Sequence, residues 1–176
     1  MVAVTPLPFT RDDLDRARVL VESVPDPELP PLTIGELGIV RSVSVDDDGQ
    51  LVVCVTPTYS GCPAVEFIEG RIRSLLDAEG FSPVRVERTF TPAWSSTWMS
   101  PSGRAKLKAA GIAPPRGETA PHTGPVPVTL GRRSSPPCPR CDATDTRLVS
   151  AFGSTACKAL YTCAACLEPF DHFKEI

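Results

Sequence analysis

The sequence lacks several features that would each point to a definite class of protein. No run of about 18 apolar residues and no charged-then-apolar leader occurs in the 176 residues, so we expect neither a membrane-spanning helix nor a signal peptide. The two histidines, His122 and His172, lack metal-cluster spacing. A phosphate-binding glycine loop, a dinucleotide fingerprint and a histidine-based nucleophile relay are also missing. We therefore predict a cytoplasmic protein that is not an enzyme.

The net charge of the chain does not favour binding to polyanions. Eighteen basic and 21 acidic residues leave a net charge of −3, which offers no general attraction to nucleic acid or to an anionic membrane. With 41% hydrophobic residues, the chain can build one hydrophobic core and a small module that needs a metal ion or a disulfide to stabilise it. The seven cysteines are an odd number, which fits a reducing compartment better than a disulfide scaffold.

Four of the cysteines form two Cys-x-x-Cys pairs, Cys138 with Cys141 and Cys163 with Cys166, separated by 21 residues. Each pair places two sulfurs on one side of a tight turn, and two such turns supply the four thiolates of a tetrahedral zinc site. Protein ligands fill all four positions, so we expect a closed, structural site. Residues 136–176 are accordingly predicted to form a β-rich zinc ribbon.

A proline-rich stretch separates this module from the rest of the chain. Seven of the 20 prolines lie between Pro114 and Pro137, and the stretch has almost no apolar periodicity. It cannot bury enough surface to offset its ordering entropy, so residues 113–135 are predicted to be an extended linker. Basic residues outnumber acidic ones around this stretch. They could contact an acidic partner, but a solvated segment is the simpler interpretation. They are Arg104, Lys106, Lys108, Arg116, Arg132 and Arg133.

Residues 1–112 show the pattern of a small α+β sandwich. Thr10 is a suitable N-cap for a first helix, and Gly49 lies in the turn of a predicted hairpin. Pro63 is expected at the first position of a second helix, which ends at Gly80. The predicted order is α-β-β-α-β, followed by a short helix. The strands are expected at 39–45, 51–56 and 84–90, and the final helix at 102–110.

Cys62 is the most informative single residue outside the ribbon. It is predicted at the N-cap of the second helix, where backbone N–H groups and the helix dipole favour a thiolate. Such a sulfur could act as a nucleophile or as a ligand for a soft metal. The alternative is a small cap residue packed under a loop.

Other candidates lie on both sides of Cys62. Asp26 and Glu28 occupy a loop stiffened by prolines, where their fixed carboxylates could have a function or could simply be solvated or cap the turn. Trp94 and Trp98 could contact a partner or close the core. Cys157 could be a buried thiol, a substitute ligand or part of a second thiolate site.

Several of these segments together resemble a known family. DPELP at 26–30, LGIV at 37–40 and TPTYSGCP at 56–63 resemble the MIP18-like family of iron–sulfur assembly factors. PAW at 92–94, GIAPP at 111–115, FGSTACK at 152–158 and CLEPF at 166–170 resemble, more narrowly, the PaaD family of the ring 1,2-phenylacetyl-CoA epoxidase system. The family pattern has an acidic residue just before the second tryptophan, where this chain has Thr97.

The resemblance implies an accessory protein that assists maturation of metal centres in aerobic phenylacetate catabolism. It implies protein partners, namely the di-iron oxygenase subunit or the reductase with its flavin and [2Fe–2S] cluster, and also a possible homodimer. It makes Cys62 the reactive cysteine and Asp26 and Glu28 its acidic loop. The cofactors implied are a structural zinc ion and a transient iron or iron–sulfur cluster.

The working hypothesis is that Cys62, with Asp26, holds iron or a labile cluster while the cysteine module docks the client. One alternative is a zinc-ribbon adaptor that binds protein or nucleic acid without transferring metal. The other is a thiol enzyme built on Cys62, which the missing histidine partner disfavours.

Overall fold

The computed structural model describes residues 9–116 and 135–175, and the chain forms two compact units, Met1–Ala93 and Trp94–Ile176. None of the helices in the described residues is long and apolar enough to cross a membrane. The elements are α1 (Arg11–Glu22), β1 (Val40–Val45), β2 (Leu51–Val55), α2 (Ala64–Ala78), β3 (Val84–Arg88), α3 (Pro101–Ala109), β4 (Thr146–Ser150), β5 (Lys158–Cys163) and β6 (Pro169–Phe173). The predicted α+β class is confirmed, including its α-β-β-α-β order and its β-rich C-terminal module.

The first unit is a three-stranded sheet with two helices. Strands β1 and β2 form an antiparallel hairpin, and β2 pairs with β3 in parallel, so that α2 is the crossover between them. Helix α1 begins at Thr10 because a capping box closes its first turn: the Asp13 N–H donates to Thr10 Oγ1, and the Thr10 N–H donates to the Asp13 carboxylate.

The core of the first unit lies between one face of the sheet and the helices. Leu51, Val53 and Val55 alternate along β2 and are almost fully buried. Ala17 and Val21 of α1 are also buried, as are Ile68, Ile72 and Leu76 of α2. Each large apolar side chain stabilises the fold by about 1.5–3 kcal/mol relative to its exposed state. This packing holds the loop between β2 and α2, which carries Cys62.

The second unit is an antiparallel sheet of order β4-β5-β6 together with α3. Trp94 packs edge-on against Phe173 of β6, with ring centroids 5.9 Å apart. Ala113 adds a short bridge to β6: its N–H donates to Asp171 O at 2.8 Å, and its carbonyl accepts the Phe173 N–H at 3.0 Å. These contacts make α3 and the residues after it part of the ribbon unit.

The observed division of the chain therefore differs from the expected boundary at residue 112. The final helix, expected at 102–110 and found at Pro101–Ala109, lies in the second unit. An amphipathic pattern shows that one face of a helix is buried but not which element covers it. Most of the predicted linker, residues 117–134, lies outside the described residues, while Ala113 at its start is fully buried.

Candidate metal centre and cysteine loop

The four cysteines of the two Cys-x-x-Cys pairs meet at one point. Their sulfurs all lie within 4.8 Å of one another, with Cys138 Sγ 3.7 Å from Cys166 Sγ and Cys141 Sγ 3.6 Å from Cys163 Sγ. A tetrahedral ion with metal–sulfur bonds of ~2.3 Å sets its sulfurs about 3.8 Å apart. The arrangement therefore fits a single tetrahedral ion. A cluster spreads its thiolates over several iron atoms and would need them farther apart.

Backbone N–H groups prepare these sulfurs to bind a metal as thiolates. The N–H of Cys166, together with that of Ala165, donates to the sulfur of Cys163 and lowers the pKa of this thiol to about 7. The N–H of Ala143 also donates to Cys141, but burial and the hydrogen bonds with the other three cysteine sulfurs raise the pKa of this thiol to about 12, so without a metal these four thiols share their protons unequally. Hydrogen bonds to a thiolate favour its charged form, which is the metal ligand.

The two turns are held by the ribbon itself. The Cys138 N–H donates to Ala143 O at 2.9 Å, and the Cys163 N–H donates to Glu168 O at 3.0 Å. Cys138 and Cys163 are buried against Ala113 and Phe170, whereas Cys141 and Cys166 are exposed. With four protein ligands there is no open coordination position, so the centre is suited to support structure rather than to bind substrate.

Cys62 lies outside this centre, in the loop between β2 and α2. The helix begins at Ala64 and its N-cap is Pro63, so Cys62 precedes the N-cap instead of occupying it as expected. The chain turns before the helix because the Cys62 N–H donates to Tyr59 O at 3.2 Å. Pro63, as the N-cap, makes no side-chain capping hydrogen bond. Cys62 is half-buried.

One of the two carboxylates of the acidic loop has a structural role. Asp26 is buried, and its Oδ1 accepts the backbone N–H groups of Glu28 and Leu29, both at 2.8 Å. This Asx-type turn fixes the path of the loop. Glu28 is half-buried. Over residues 9–116 and 135–175, the four ribbon cysteines are the one group of three or more potential ligands, so Cys62, Asp26 and Glu28 do not form a preassembled ligand set.

A feature that the sequence analysis missed lies at the start of the Cys62 loop. Thr56 follows β2 and is fully buried, yet its hydroxyl has no hydrogen-bond partner in the described part of the chain. Thr58, two residues later, is also buried. A buried hydroxyl without a partner is uncommon in native proteins. Sequence offers no signal for it, because an unmade hydrogen bond is visible only in three dimensions.

The remaining candidates are packed to different degrees. Cys157 is buried beside the Thr155 hydroxyl, 3.0 Å from its sulfur, and is not in the four-sulfur group, so a buried thiol fits its position. Trp94 is 3% exposed, so of its two predicted roles the burial favours closure of the core of the second unit over contact with a partner. Trp98 is half-buried. Burial, together with Glu87, raises the pKa of Cys54 and keeps that thiol protonated.

Both units match known protein families. Residues 15–87 match the family described as iron-sulfur cluster assembly protein, and residues 122–174 match the PaaD zinc beta ribbon domain. These matches confirm the resemblance inferred from the sequence motifs.

Individual relatives agree with the family matches. The chain is 48% identical over 155 residues to a putative 1,2-phenylacetyl-CoA epoxidase subunit of Escherichia coli, covering 88% of each chain. It is 33% identical over 100 residues to an Fe-S protein maturation auxiliary factor of Porphyromonas gingivalis, covering 56% of this chain and 93% of the relative. A third relative is the Fe-S protein maturation auxiliary factor SufT of Staphylococcus aureus, 35% identical over 76 residues, which are 43% of this chain and 85% of SufT.

Proposed function

We propose that this chain, which belongs to the PaaD family of the phenylacetyl-CoA epoxidase system, is an accessory factor that delivers iron or an iron–sulfur cluster to the epoxidase components. The observation that carries the proposal is the combination, in one chain, of an iron–sulfur assembly domain and a PaaD zinc ribbon. The two shorter relatives are named as Fe-S protein maturation auxiliary factors, not as catalysts.

The proposed cargo-handling residue is Cys62. A residue that passes iron on must bind it with few ligands, because a complete ligand set would retain it. Cys62 is a half-buried thiol two residues before the first residue of α2, and a helix N-terminus attracts negatively charged ligands. The four-cysteine centre has the opposite character, with every position taken by protein.

The cargo would complete its coordination from outside Cys62. In the described residues no second and third ligand stand ready beside this cysteine. The client, or a small thiol, supplies the other ligands in this proposal, which makes release a ligand exchange. Asp26 acts by fixing the loop through its two hydrogen bonds, and Glu28 is the carboxylate proposed to take part in the exchange.

The four-cysteine centre is proposed to hold zinc for structure. Zinc has no redox chemistry of its own and accepts four thiolates in a tetrahedron, the arrangement that these sulfurs fit. The ribbon would then be a stable module that recognises the client.

Replacement of Cys62 tests the proposal in cells. A strain that lacks the native protein is supplied with either the wild-type chain or Cys62→Ala and grown on phenylacetate, and the epoxidase reductase and oxygenase are then purified anaerobically. We expect Cys62→Ala to give components with much less bound iron, measured by metal analysis and visible absorption. Cys54→Ala is the matched control, since Cys54 is also half-buried but lies on β2. Fully loaded components from the Cys62→Ala strain would refute the proposal.

A further inference from the structure

The net charge of −3 conceals a strong separation of charge along the chain. Residues 1–93 contain 8 basic and 15 acidic residues, a net of −7, whereas residues 94–176 contain 10 basic and 6 acidic residues, a net of +4. The positive field of the second unit attracts negatively charged partners over roughly a Debye length, about 8 Å at physiological salt. The ribbon unit is therefore the part of the chain suited to meet an acidic surface.

A groove on the second unit places basic side chains beside the metal centre. It has a volume of about 650 Å³ and lies between the C-terminal half of α3 and the first cysteine turn. Lys108 and Arg140 are its basic residues, and small side chains line the rest: Ala105, Ala109, Ala110, Gly111 and Pro139. Lys108 is bound to Asp142, with its Nζ 2.6 Å from a carboxylate oxygen, which ties α3 to the turn.

Arg140 provides a binding group in this groove. Its side chain is exposed and extends beside Gly111, with Nη2 3.8 Å from the position that a Cβ there would take. Across the described residues, Arg140 has no salt bridge that would neutralise it. An arginine guanidinium binds a carboxylate through two parallel hydrogen bonds, so the groove is suited to an Asp or Glu side chain.

The second cysteine turn has an exposed apolar side chain at a position whose backbone conformation is unfavourable for it. Leu167 follows Cys166, has a φ of 60° and is 78% exposed. Asp142 takes the same place in the first turn, with a φ of 59°. Aspartate tolerates this left-handed conformation, but a leucine pays a steric penalty there and gains nothing from burial in the chain itself. Such strain at an exposed apolar residue indicates a role outside the fold.

We infer that the two cysteine turns (residues 138–142 and 163–167) and the end of α3 (residues 105–111) form a docking surface for an acidic protein, the client of the proposed function. In this complex a partner carboxylate binds Arg140, and Leu167 enters an apolar pocket of the partner. The inference rests on the proposed function, since it assigns the client's contact surface.

A protein fits this surface better than a nucleic acid does. Nucleic-acid binding relies on many cations that contact successive phosphates, and on aromatic side chains when the strand is single. Here the groove has two basic residues, one of them already paired with Asp142, and the second turn offers an aliphatic side chain. An aliphatic anchor with a charged rim is the usual anatomy of a protein–protein contact.

Binding measurements on the full zinc-loaded chain test the inference. The probes are the purified reductase and the purified oxygenase of the epoxidase system from the same organism, with Kd measured at low and at moderately high salt. We expect a Kd that rises with salt, a roughly tenfold weaker complex for Arg140→Glu, and a similar loss for Leu167→Asn. Leu167→Asn should keep its zinc and an unchanged or higher Tm, because asparagine accepts the left-handed backbone.

Arg147→Glu on β4 is the matched control, with the same charge change on an exposed residue outside the docking surface, and it should bind like the wild type. If the wild type binds and Arg140→Glu and Leu167→Asn bind equally well, the docking surface is wrong and the proposed function stands. If the wild type binds neither component, both fail. Arg140-dependent binding of a DNA or RNA oligonucleotide, or Arg140-dependent self-association, would replace the protein client with another occupant and overturn the inference.

Discussion

Removal of the metal should unfold the second unit and leave the first intact. Around the metal centre the buried core consists of Cys138, Cys163, Ala113 and Phe170, so two of its four members are themselves ligands. Structural zinc contributes apparent free energies of about 10–16 kcal/mol in small domains, which is as large as the whole stability of a typical domain, about 5–15 kcal/mol. Without the ion, this core is too small to hold the two turns and the three strands.

The tryptophans report this event selectively. Trp94 and Trp98 are the two tryptophans of the chain, and both belong to the second unit. Trp94 is 3% exposed and rests on Phe173, and its burial is worth about 5 kcal/mol at 25 cal/mol per Å² over roughly 200 Å². When β6 unfolds, this ring enters water and its fluorescence emission shifts to the red.

The assay combines chelation with two optical signals. A strong zinc chelator should shift the tryptophan emission while most of the helical circular dichroism remains, because α1 and α2 account for 27 of the 36 residues in the three α-helices that the structure describes. Cys138→Ser should resemble the chelated protein, and Cys54→Ser should not. Unchanged emission from metal-free protein, or the loss of α1 and α2 together with the metal, would refute the reasoning.

Three further predictions concern packing and protonation. Gly35→Ala should lower the free energy of unfolding in urea by about 2 kcal/mol, because its new Cβ would lie 2.6 Å from the Glu22 Cβ. An unchanged urea midpoint would contradict this. Glu69→Ala should lower the free energy of unfolding by about 1 kcal/mol, because it removes the hydrogen bonds of a buried carboxylate to Arg88 and Arg73, whose exposed guanidinium groups water then solvates. Glu66→Ala, an exposed change on the same helix, should cost little, and an equal loss from both variants would contradict this. Burial lowers the pKa of the His172 imidazole, so the folded state disfavours its protonation. The free energy of unfolding should therefore be highest above about pH 6.5 and fall as the pH is lowered through this value, and His172→Gln should show a smaller fall. An equal pH dependence of the two proteins would contradict this.

Much of the fold follows from local signals in the sequence. The capping box at Thr10, the alternation along β2 and the spacing of the four cysteines each act over a few residues, and the structure has the corresponding helix, strand and metal centre. Cys62 was expected one position too close to α2, because proline is compatible with both the N-cap and the first helical position.

Features that depend on distant contacts could not be predicted in this way. The assignment of α3 to the ribbon unit depends on Ala113 pairing with β6, across a gap of more than 50 residues. The burial of Trp94 depends on Phe173 in the same manner. The docking surface joins residues 105–111 to the two cysteine turns, and no sequence pattern links them, although the charge separation itself can be read from the sequence.

The central claim is that Cys62 binds a labile iron cargo apart from the structural metal. The most direct measurement is the iron content of the purified chain after anaerobic reconstitution with iron and sulfide, compared between the wild type, Cys62→Ala and Cys54→Ala. With a small thiol present to supply the remaining ligands, we expect the wild type and Cys54→Ala to bind iron beyond the single ion of the four-cysteine centre and to lose it to a mild chelator. Cys62→Ala should lack that fraction. Equal labile iron in all three proteins would contradict the account.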